Sequence, residues 1–319
     1  MLVVGIATID AIARNVERLP PPGGLLFFQM LDLTTGGCAL NAAIALCRLG
    51  TGADLTVRVG ADPLGDIVVS AAAHAGLDTG LHRVIRDDRR STSFSFVAVA
   101  ASGERRFLHM RGANDNLRSS DVPDSDLLGR RFVFVTGSML MGALDGTQTA
   151  DLLARARRAG AKTMLDTVYA AETPRSEWER RLAPSLADLD YFVPSLAEAQ
   201  ALTGRDDPGE IASVLLDRGP RRIILKLGER GALLADNENG KVHVPAYRVE
   251  QVVDTTGAGD CWCAGLLAGL CEGQTPVEAI RLGCAAAAMS IGHAGATTGA
   301  PTREQAARYM LSTPLNPLA

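Results

Sequence analysis

The heptapeptide Asp254-Thr255-Thr256-Gly257-Ala258-Gly259-Asp260 stands directly before an apolar run over residues 261–270. Its glycines and alanine leave backbone N–H groups open to a bulky anion, and the start of a predicted helix adds unpaired donors and partial positive charge. We therefore predict a phosphate site here. Asp260 needs another explanation, because a carboxylate repels a polyanion. We interpret it as a general base that takes a proton from an attacking hydroxyl group; the alternative is a helix N-cap.

Bulk composition indicates a globular protein with one sizeable core. The chain has 319 residues, of which 47% are hydrophobic and 21% charged, as is usual for α/β proteins of this length. We predict a single α/β domain over residues 1–319. The formal net charge of −4 gives no basic excess to neutralise a nucleic-acid backbone, so we expect no nucleic-acid partner.

Six cysteines show neither C-x-x-C pairs nor a neighbouring histidine cluster, which argues against a zinc site and against a disulfide framework. They are Cys38, Cys47, Cys261, Cys263, Cys271 and Cys284. The N-terminus enters a predicted strand without a signal-type segment. Because no apolar run approaches the roughly 20 residues that span a bilayer, we expect no membrane association and a cytoplasmic location.

Short apolar runs alternate with longer helical patterns, which is typical of βαβ units around a mostly parallel sheet. The predicted strands cover residues 2–6, 55–59, 132–136, 163–166, 191–193, 222–226 and 231–235. The predicted helices cover residues 39–49, 65–75, 147–158, 196–203, 208–218, 260–269, 276–291 and 302–311.

Two segments, residues 11–34 and 91–112, interrupt this alternation. The first contains Pro20-Pro21-Pro22-Gly23-Gly24, and the second reads as two strands around the turn Ala101-Ser102-Gly103-Glu104. We predict that they form a small β-sheet projecting over the phosphate site, as a lid that excludes water. The alternative is a plain hairpin at the edge of the main sheet.

A second glycine cluster precedes the first predicted helix. Gly36 and Gly37 open space at the helix start, and Asn41 lies in its first turn. Asn41 can donate to a hydroxyl group and accept from one without adding charge. Asp10 follows the first predicted strand, at the edge where open parallel sheets bind ligands. Together these residues predict a pocket for a polyhydroxylated ligand.

Several other enzyme classes lack their sequence signals. No G-x-G-x-x-G follows the first predicted strand, and no G-x-x-x-x-G-K-[ST] occurs, so dinucleotide-dependent oxidoreductases and P-loop proteins are excluded. The stretch Gly137-Ser138-Met139-Leu140-Met141-Gly142 lacks G-x-S-x-G spacing, which excludes a serine hydrolase.

The two glycine clusters together resemble the signatures of the ribokinase-like (PfkB) carbohydrate kinases. Gly36-Gly37, Asn41-Ala42 and Leu49-Gly50 resemble the N-terminal signature, and residues 254–260 match the C-terminal one. The resemblance runs over essentially the whole chain. It implies a central, mostly parallel sheet flanked by helices, with a small β lid through which two subunits form a homodimer.

The resemblance also implies ATP and Mg²⁺ as cofactors. Lys226-Leu227-Gly228-Glu229-Arg230-Gly231 looks like the family's turn that contacts the nucleotide phosphates, with Lys226, Gly228 and Gly231 as its binding residues. Ser195 and Glu198 look like the N-x-x-E element, in which the glutamate holds Mg²⁺ through water and Ser195 replaces the usual asparagine. Cys284 takes the position of an asparagine that lies near adenine in many members.

A K⁺ site is a further implication of the resemblance. The loop over residues 292–299, which contains Gly295, resembles one that holds a monovalent cation together with Asp254 and Thr256.

The predicted reaction is phosphoryl transfer from ATP to a sugar or sugar-like alcohol. Asp10, Gly36, Gly37 and Asn41 would bind the acceptor, and Asp260 would take its proton. Backbone N–H groups of Gly257, Ala258 and Gly259 would stabilise the transferring phosphoryl group.

Three alternatives stay open at this point. A nucleoside kinase would use aromatic residues such as Phe94 and Phe96 in the lid. A sugar-phosphate kinase would bind its substrate through Arg14, Arg105 or Arg111. A non-catalytic regulator would bind nucleotide or sugar without turnover. Asp166-Thr167-Val168-Tyr169 stands where many sugar kinases have D-P-N-x-R, so the sequence does not assign ribose or fructose.

Overall fold

The computed structural model of the chain describes residues 1–80, 83–102, 104–168, 173–238 and 240–317. Within these ranges, thirteen strands form two separate sheets. The strands β1 to β13 are Leu2–Gly5, Thr8–Arg14, Met30–Gly36, Asp54–Gly60, Val84–Asp87, Phe94–Val99, Arg105–Met110, Phe132–Ser138, Lys162–Thr167, Tyr191–Phe192, Arg222–Lys226, Ala232–Asp236 and Gly240–Val244.

The larger sheet has nine strands in the order β13-β12-β11-β10-β9-β8-β1-β4-β5. All neighbouring strands are parallel except at one edge, where β11–β12 and β12–β13 are antiparallel. The central strands are buried on both faces; β8, for example, has all seven residues buried. This double burial explains why such strands read as continuous apolar runs in the sequence.

Ten α-helices accompany the strands in the described residues. In chain order, α1 to α10 are Cys38–Arg48, Pro63–His74, Asp124–Leu127, Thr147–Arg158, Arg175–Leu186, Leu196–Thr203, Pro208–Leu216, Ala258–Cys271, Pro276–Ser290 and Arg303–Ser312. One core cluster joins α1, α2, α8, α9 and α10 to the sheet, and a second joins α3 to α7. Alternate residues of β1 enter different clusters, Val3 the first and Val4 the second. The helices therefore cover both faces of the sheet. No helix in the described ranges is both long and apolar enough to cross a bilayer.

The second sheet has four strands in the order β3-β2-β6-β7, and we call it the lid. It confirms the predicted small sheet, although its first strand begins at Thr8 rather than in the segment that starts at residue 11. The chain passes from the large sheet to the lid through Ala7. The side chain of Asn114 accepts from the Ala7 N–H group at 3.2 Å and donates to the Ala7 carbonyl oxygen at 3.1 Å. This pair of hydrogen bonds fixes the position at which the lid leaves the main body.

The other predicted strands and helices are present, with ends displaced by at most two residues. Helices α3 and α5 were not predicted: α3 has only four residues, and the sequence of α5 is rich in charged residues and contains Pro184. Strands β5 and β13 were also not predicted; they are the two edge strands of the large sheet, and edge strands bury little apolar surface. Gly103 of the predicted lid turn, and Tyr169, lie outside the described residues.

Candidate active site

Helix α8 begins directly after a glycine that no other residue can replace without strain. Gly257 is the N-cap residue, with φ 73° and ψ 2° in the left-handed region. A Cβ atom there would lie 2.5 Å from the Ala296 carbonyl oxygen. Ala258 and Gly259 are the first two helical residues. The N–H groups of this close turn form a candidate site for an anion; that of Ala258 donates to the Thr255 carbonyl oxygen at 3.2 Å.

Asp260 is the third residue of α8, so the alternative that made it the N-cap is wrong. Its side chain is buried, and Asn41 of α1 donates from Nδ2 to Asp260 Oδ2 at 2.8 Å. Burial raises the pKa of the Asp260 carboxyl, while the Asn41 hydrogen bond and the nearby Lys226 ammonium partly offset that rise. The Oδ1 atom of buried Asn41 has no hydrogen-bond partner among the described residues.

Asp10 follows β1, as predicted, but it belongs to a strand of the lid. It lies in β2 and pairs with Thr34 of β3 and Ser95 of β6. The Thr8 hydroxyl donates to Asp10 Oδ1 at 3.2 Å. A Cβ atom on Gly36 would approach Asp10 Oδ2 to 2.2 Å, so a larger residue there would displace this carboxylate. Burial raises the pKa of Asp10.

Gly37 is the N-cap of α1 and has φ 96°. A Cβ atom on it would lie 2.6 Å from Ala7 Cα. Gly36 and Gly37 thus bring α1, and with it Asn41, against the start of the lid. Asp10 approaches from β2, next to Gly36, at the same junction.

The sequence alone did not place Ser95 and His109 beside Asp10 in the lid. Ser95 pairs with Asp10 on one side and with His109 of β7 on the other. Ser95 Oγ lies 3.1 Å from His109 Nδ1. Side chains on one face of a strand recur at every second position. Knowledge of the strand register would therefore have placed Asp10, Ser95 and His109 side by side.

A cavity of about 320 Å³ lies between the lid and the loop that precedes α8. Asp10, Ile12 and Arg14, which share one face of β2, line it from the lid side. Asp254 and Thr256 line it from the other side. A ligand here would contact the lid and the residues just before the anion site at the same time.

A second cavity of about 610 Å³ lies on the other side of the α8 N-terminus. Lys226, Gly228 and Gly231 line one end of it together with Gly259. Cys284 lines its apolar part, where it is 3% exposed and accepts a hydrogen bond from Trp262 Nε1 at 3.4 Å. Burial raises the pKa of Cys284 to about 11, so this wall is neutral. The predicted nucleotide residues therefore share one cleft, except Ser195 and Glu198, which do not line it.

A buried ion pair lies at the polar end of this cleft. Lys226 Nζ donates to Asp166 Oδ1 at 2.7 Å. Asp166 was not predicted as a site residue, although its place at the end of β9 is where open parallel sheets collect functional groups. Burial raises the pKa of Asp166, and the Lys226 ammonium opposes that rise.

Ser195 and Glu198 form the N-terminal cap of α6. Ser195 Oγ accepts from the Glu198 N–H group at 3.4 Å, and Glu198 Oε2 accepts from the Ser195 N–H group at 2.6 Å. Thr167 Oγ1 also donates to Glu198 Oε2, at 3.0 Å. Glu198 is 7% exposed, and burial raises its pKa while the Lys226 ammonium lowers it. The Ser195 hydroxyl group is thus engaged in holding the helix end.

Asp254 joins the C-terminal motif to the loop over residues 292–299. Its Oδ2 atom accepts from the Gly295 N–H group at 3.1 Å, and its Oδ1 atom accepts from the Thr256 N–H group at 2.8 Å. The three residues that the resemblance assigns to a monovalent cation therefore lie together. Across the described parts of the chain, no group of three or more His, Cys, Asp or Glu residues is arranged to hold a metal ion alone.

Comparison with known proteins agrees with the family resemblance seen in the sequence. The model of the pfkB family of carbohydrate kinases matches residues 1–303. The chain is 29% identical to a ribokinase of Haemophilus influenzae over 97% of this chain and 98% of that protein. It is 32% identical to fructokinase-1 of Zea mays, over 85% of this chain and 86% of the relative. The structure of a ribokinase of Arabidopsis thaliana, described as complexed with ribose and ATP, superposes with a TM-score of 0.85 at 22% identity, over 97% of each chain.

Proposed function

The chain belongs to the pfkB family of carbohydrate kinases, and we propose that it transfers the γ-phosphoryl group of ATP to a hydroxyl group of a sugar or sugar derivative. One observation carries this proposal. Asp260 lies buried in the first turn of α8, directly after the backbone N–H groups of Gly257, Ala258 and Gly259. The base thus lies in the same helical turn as Ala258 and Gly259, which line the cleft of about 610 Å³.

The reaction follows from these positions. Asp10, Gly36, Gly37 and Asn41 orient the acceptor, and the Asn41 Oδ1 atom accepts from one of its hydroxyl groups. Asp260 takes the proton of the attacking hydroxyl group as the new P–O bond forms. The N–H groups at the start of α8 stabilise the charge of the transferring phosphoryl group, because they are already oriented before the reaction begins.

The cleft of about 610 Å³ suits a nucleotide. Its size is within the usual range for small-molecule sites. The apolar end at Cys284 suits a purine ring, and the end at Lys226 and Gly259 suits phosphates. The Arabidopsis ribokinase structure contains ATP, which supports the same choice here.

The carboxylates near the phosphate end suit magnesium held mainly by water and phosphate, since Mg²⁺ prefers oxygen ligands and keeps several waters. Glu198 and Asp166 would hold these waters, and the ion would supply neutralising charge to the phosphates. Asp254, Thr256 and Gly295 would hold K⁺. All six cysteines are unpaired thiols, which agrees with the predicted cytoplasmic location.

The acceptor is open within the sugars and their derivatives, since the relatives include both a ribokinase and a fructokinase. The nucleoside alternative loses its stated support. Phe96 packs against Phe28, with ring centroids 6.5 Å apart, and pairs with Ala11 on the lid face opposite Asp10. For a sugar phosphate, Arg14 faces the lid cavity but already forms an ion pair with Asp32 at 2.9 Å.

The two other arginines add little to the sugar-phosphate alternative. Arg111 lies 3.9 Å from Asp115, and the side chain of Arg105 lies outside those described.

The test is ADP release from ATP·Mg²⁺ with free sugars, sugar acids, sugar phosphates and nucleosides, each with and without K⁺. We expect at least one sugar or sugar derivative to stimulate ADP release. A panel without stimulation, from a protein that binds ATP tightly, would contradict the proposed function and favour the non-catalytic regulator.

Asn41→Asp should move the acid limb of the kcat–pH profile upward. The new carboxylate would lie where Asn41 Nδ2 now donates to Asp260 at 2.8 Å. Two carboxylates that share one site cannot both ionise readily, so the pKa of the pair rises. Since the base must be ionised, we expect the acid limb to shift by more than about 1 pH unit and activity to recover at high pH. Asn41→Ala is the control. If both variants showed the same acid limb of the kcat–pH profile, that result would contradict the contact between residue 41 and Asp260.

We also propose that two copies of the chain associate through the outer face of the lid. This face carries Leu33 and Leu108, each 57% exposed, which pair with Ala11 and Phe96. Contiguous exposed apolar surface of this kind marks an interface. We expect Leu33→Glu to convert a dimer into a monomer in analytical ultracentrifugation. Leu128→Glu, at a residue 66% exposed outside the lid, should remain dimeric; a wild-type monomer at micromolar concentration would contradict the proposal.

A further inference from the structure

His109 lies in β7 on the lid face that carries Asp10, and the reaction described above gives it no role. The residue is exposed, and its Nδ1 atom lies 3.1 Å from Ser95 Oγ. Ser95 pairs with Asp10 on its other side, and its hydroxyl group lowers the pKa of Asp10 by a hydrogen bond to the carboxylate. The three side chains therefore form one hydrogen-bonded row across the lid, with His109 on the edge strand.

The direction of the hydrogen bonds in this row sets the tautomer of His109. An ionised carboxylate only accepts hydrogen bonds, so the single proton of the Ser95 hydroxyl group points to Asp10. Ser95 Oγ is then an acceptor for the ring, and His109 Nδ1 must carry a proton to donate to it. In the neutral ring the other nitrogen, Nε2, is an acceptor. Neutral His109 thus presents a lone pair, and not a proton, at its outer nitrogen.

The surroundings of His109 favour this neutral ring. Partial burial of the ring by the lid lowers the pKa of His109 from 6.5. Three charged groups face the ring: Asp10 of β2, Arg111 directly after β7, and Asp115 in the turn that follows. Asp10 and Asp115 oppose the effect of burial, whereas Arg111 adds to it. Nε2 is therefore an acceptor at neutral pH and becomes a donor only in acid.

The other groups on the acceptor side also favour a neutral ligand with hydroxyl donors. Asp10 and the proposed base Asp260 bring two carboxylates. Asn41 Oδ1 adds an acceptor atom that has no partner among the described residues. On the same lid face, the Arg14 guanidinium is already paired with Asp32 at 2.9 Å. An acceptor with a carboxylate or phosphate group here would meet negative charge and few free donors.

From this geometry we propose that His109 is a specificity-determining residue: its Nε2 atom accepts a hydrogen bond from a hydroxyl group of the acceptor and so selects neutral sugars over sugar acids and sugar phosphates. The inference rests on the proposed function, because it concerns the acceptor of that reaction. A carboxylate or phosphate oxygen has no proton to donate to Nε2, so the site discriminates by leaving its own acceptors unpaired. Protonation of the ring reverses this preference.

The experiment measures kcat and KM for the best neutral sugar of the panel and for the sugar acid with the same number of carbons, over roughly pH 5 to 8. The main variant is His109→Asn, whose amide can still donate to Ser95 but lacks the Nε2 acceptor. We expect the KM of the neutral sugar to rise roughly 3- to 10-fold, as for loss of one neutral hydrogen bond. Since the contact binds substrate and transition state alike, kcat should change by less than about twofold.

The pH dependence gives a second readout that a merely structural role would not move. In the wild type, the KM of the neutral sugar should rise as the pH falls through the pKa of His109, because Nε2 then carries a proton. The KM of the sugar acid should fall over the same range. Asp10 and Asp260 titrate in both proteins, so the ratio of wild-type to variant KM isolates His109, and this ratio should approach one in acid.

His74→Asn, at an exposed histidine of α2, is the matched control and should change neither KM nor its pH dependence. Ser95→Ala is an independent variant that removes the partner of Nδ1, and it should also raise the KM of the neutral sugar. An unchanged KM in His109→Asn, or a wild-type preference for a sugar acid or sugar phosphate at neutral pH, would overturn the proposal and leave the kinase function intact. A panel without stimulated ADP release would instead overturn the proposed function.

Discussion

Asp260→Asn is expected to lower kcat by roughly 10²- to 10⁴-fold, the usual contribution of a general base, and to leave the Kd of ATP nearly unchanged. The amide has the shape of the carboxylate, and its oxygen can still accept from Asn41 Nδ2, which now donates to Asp260 at 2.8 Å. It cannot take a proton from the acceptor. The measurement is steady-state kinetics with the best acceptor of the panel, beside calorimetric titration with ATP.

The same substitution should also raise the melting temperature at neutral pH. Burial raises the pKa of Asp260 above 3.8. Ionisation of the folded protein therefore costs stability as the pH rises from 3.8 through the raised pKa, and the neutral amide avoids that cost. The difference in melting temperature should shrink as the pH falls. Asp88→Asn, at an exposed carboxylate, is the control for both measurements, and wild-type turnover in Asp260→Asn would remove Asp260 from the role of base.

Gly257→Ala should lower kcat/KM by about 10²-fold or more. The residue has φ 73°, which costs alanine about 1–2 kcal/mol, and its new Cβ atom would lie 2.5 Å from the Ala296 carbonyl oxygen. The start of α8 must therefore move. Displacement of reacting groups by about 1 Å can cost 10²-fold in rate, and here it moves both Asp260 and the N–H groups.

Gly273→Ala is the matched control for this substitution. Gly273 follows the other end of α8, has φ 84°, and has no atom within 4 Å of an added Cβ. It should lose about 1–2 kcal/mol of stability for the same backbone reason and keep its turnover. Equal kinetics in the two alanine variants would contradict an anion site at Gly257.

The parts of the site that could be predicted from sequence are those formed by contiguous residues. The seven residues 254–260 contain both the tight turn and the carboxylate, so local rules placed the start of α8 within two residues. The Lys226–Asp166 pair could not be found this way. Its members are 60 residues apart in the sequence. They meet because the sheet order places β9, which carries Asp166, and β11, which ends at Lys226, on either side of the two-residue strand β10.

The lid shows the same limit. Asp10 follows a run that reads as one strand, but the chain leaves the large sheet at Gly5 and starts a lid strand at Thr8. The two strands are separated only by Ile6 and Ala7, which continue the apolar run. The contact between Asn41 and Asp260 joins residues that are 219 positions apart. The family resemblance assigned both residues to one site, but the hydrogen bond between them is seen only in the structure. The single domain over residues 1–319, the cytoplasmic location and the K⁺ site stay predictions.

The central claim is that the γ-phosphoryl group moves from ATP to an acceptor hydroxyl group. It is tested most directly by ³¹P NMR of a reaction with ATP·Mg²⁺ and the best acceptor of the panel. We predict that the γ-phosphate resonance decreases while a phosphomonoester resonance of the acceptor grows in equal amount, and that Asp260→Asn shows neither change on the same timescale. Formation of inorganic phosphate alone, or loss of ATP at a rate independent of the acceptor, would contradict the claim.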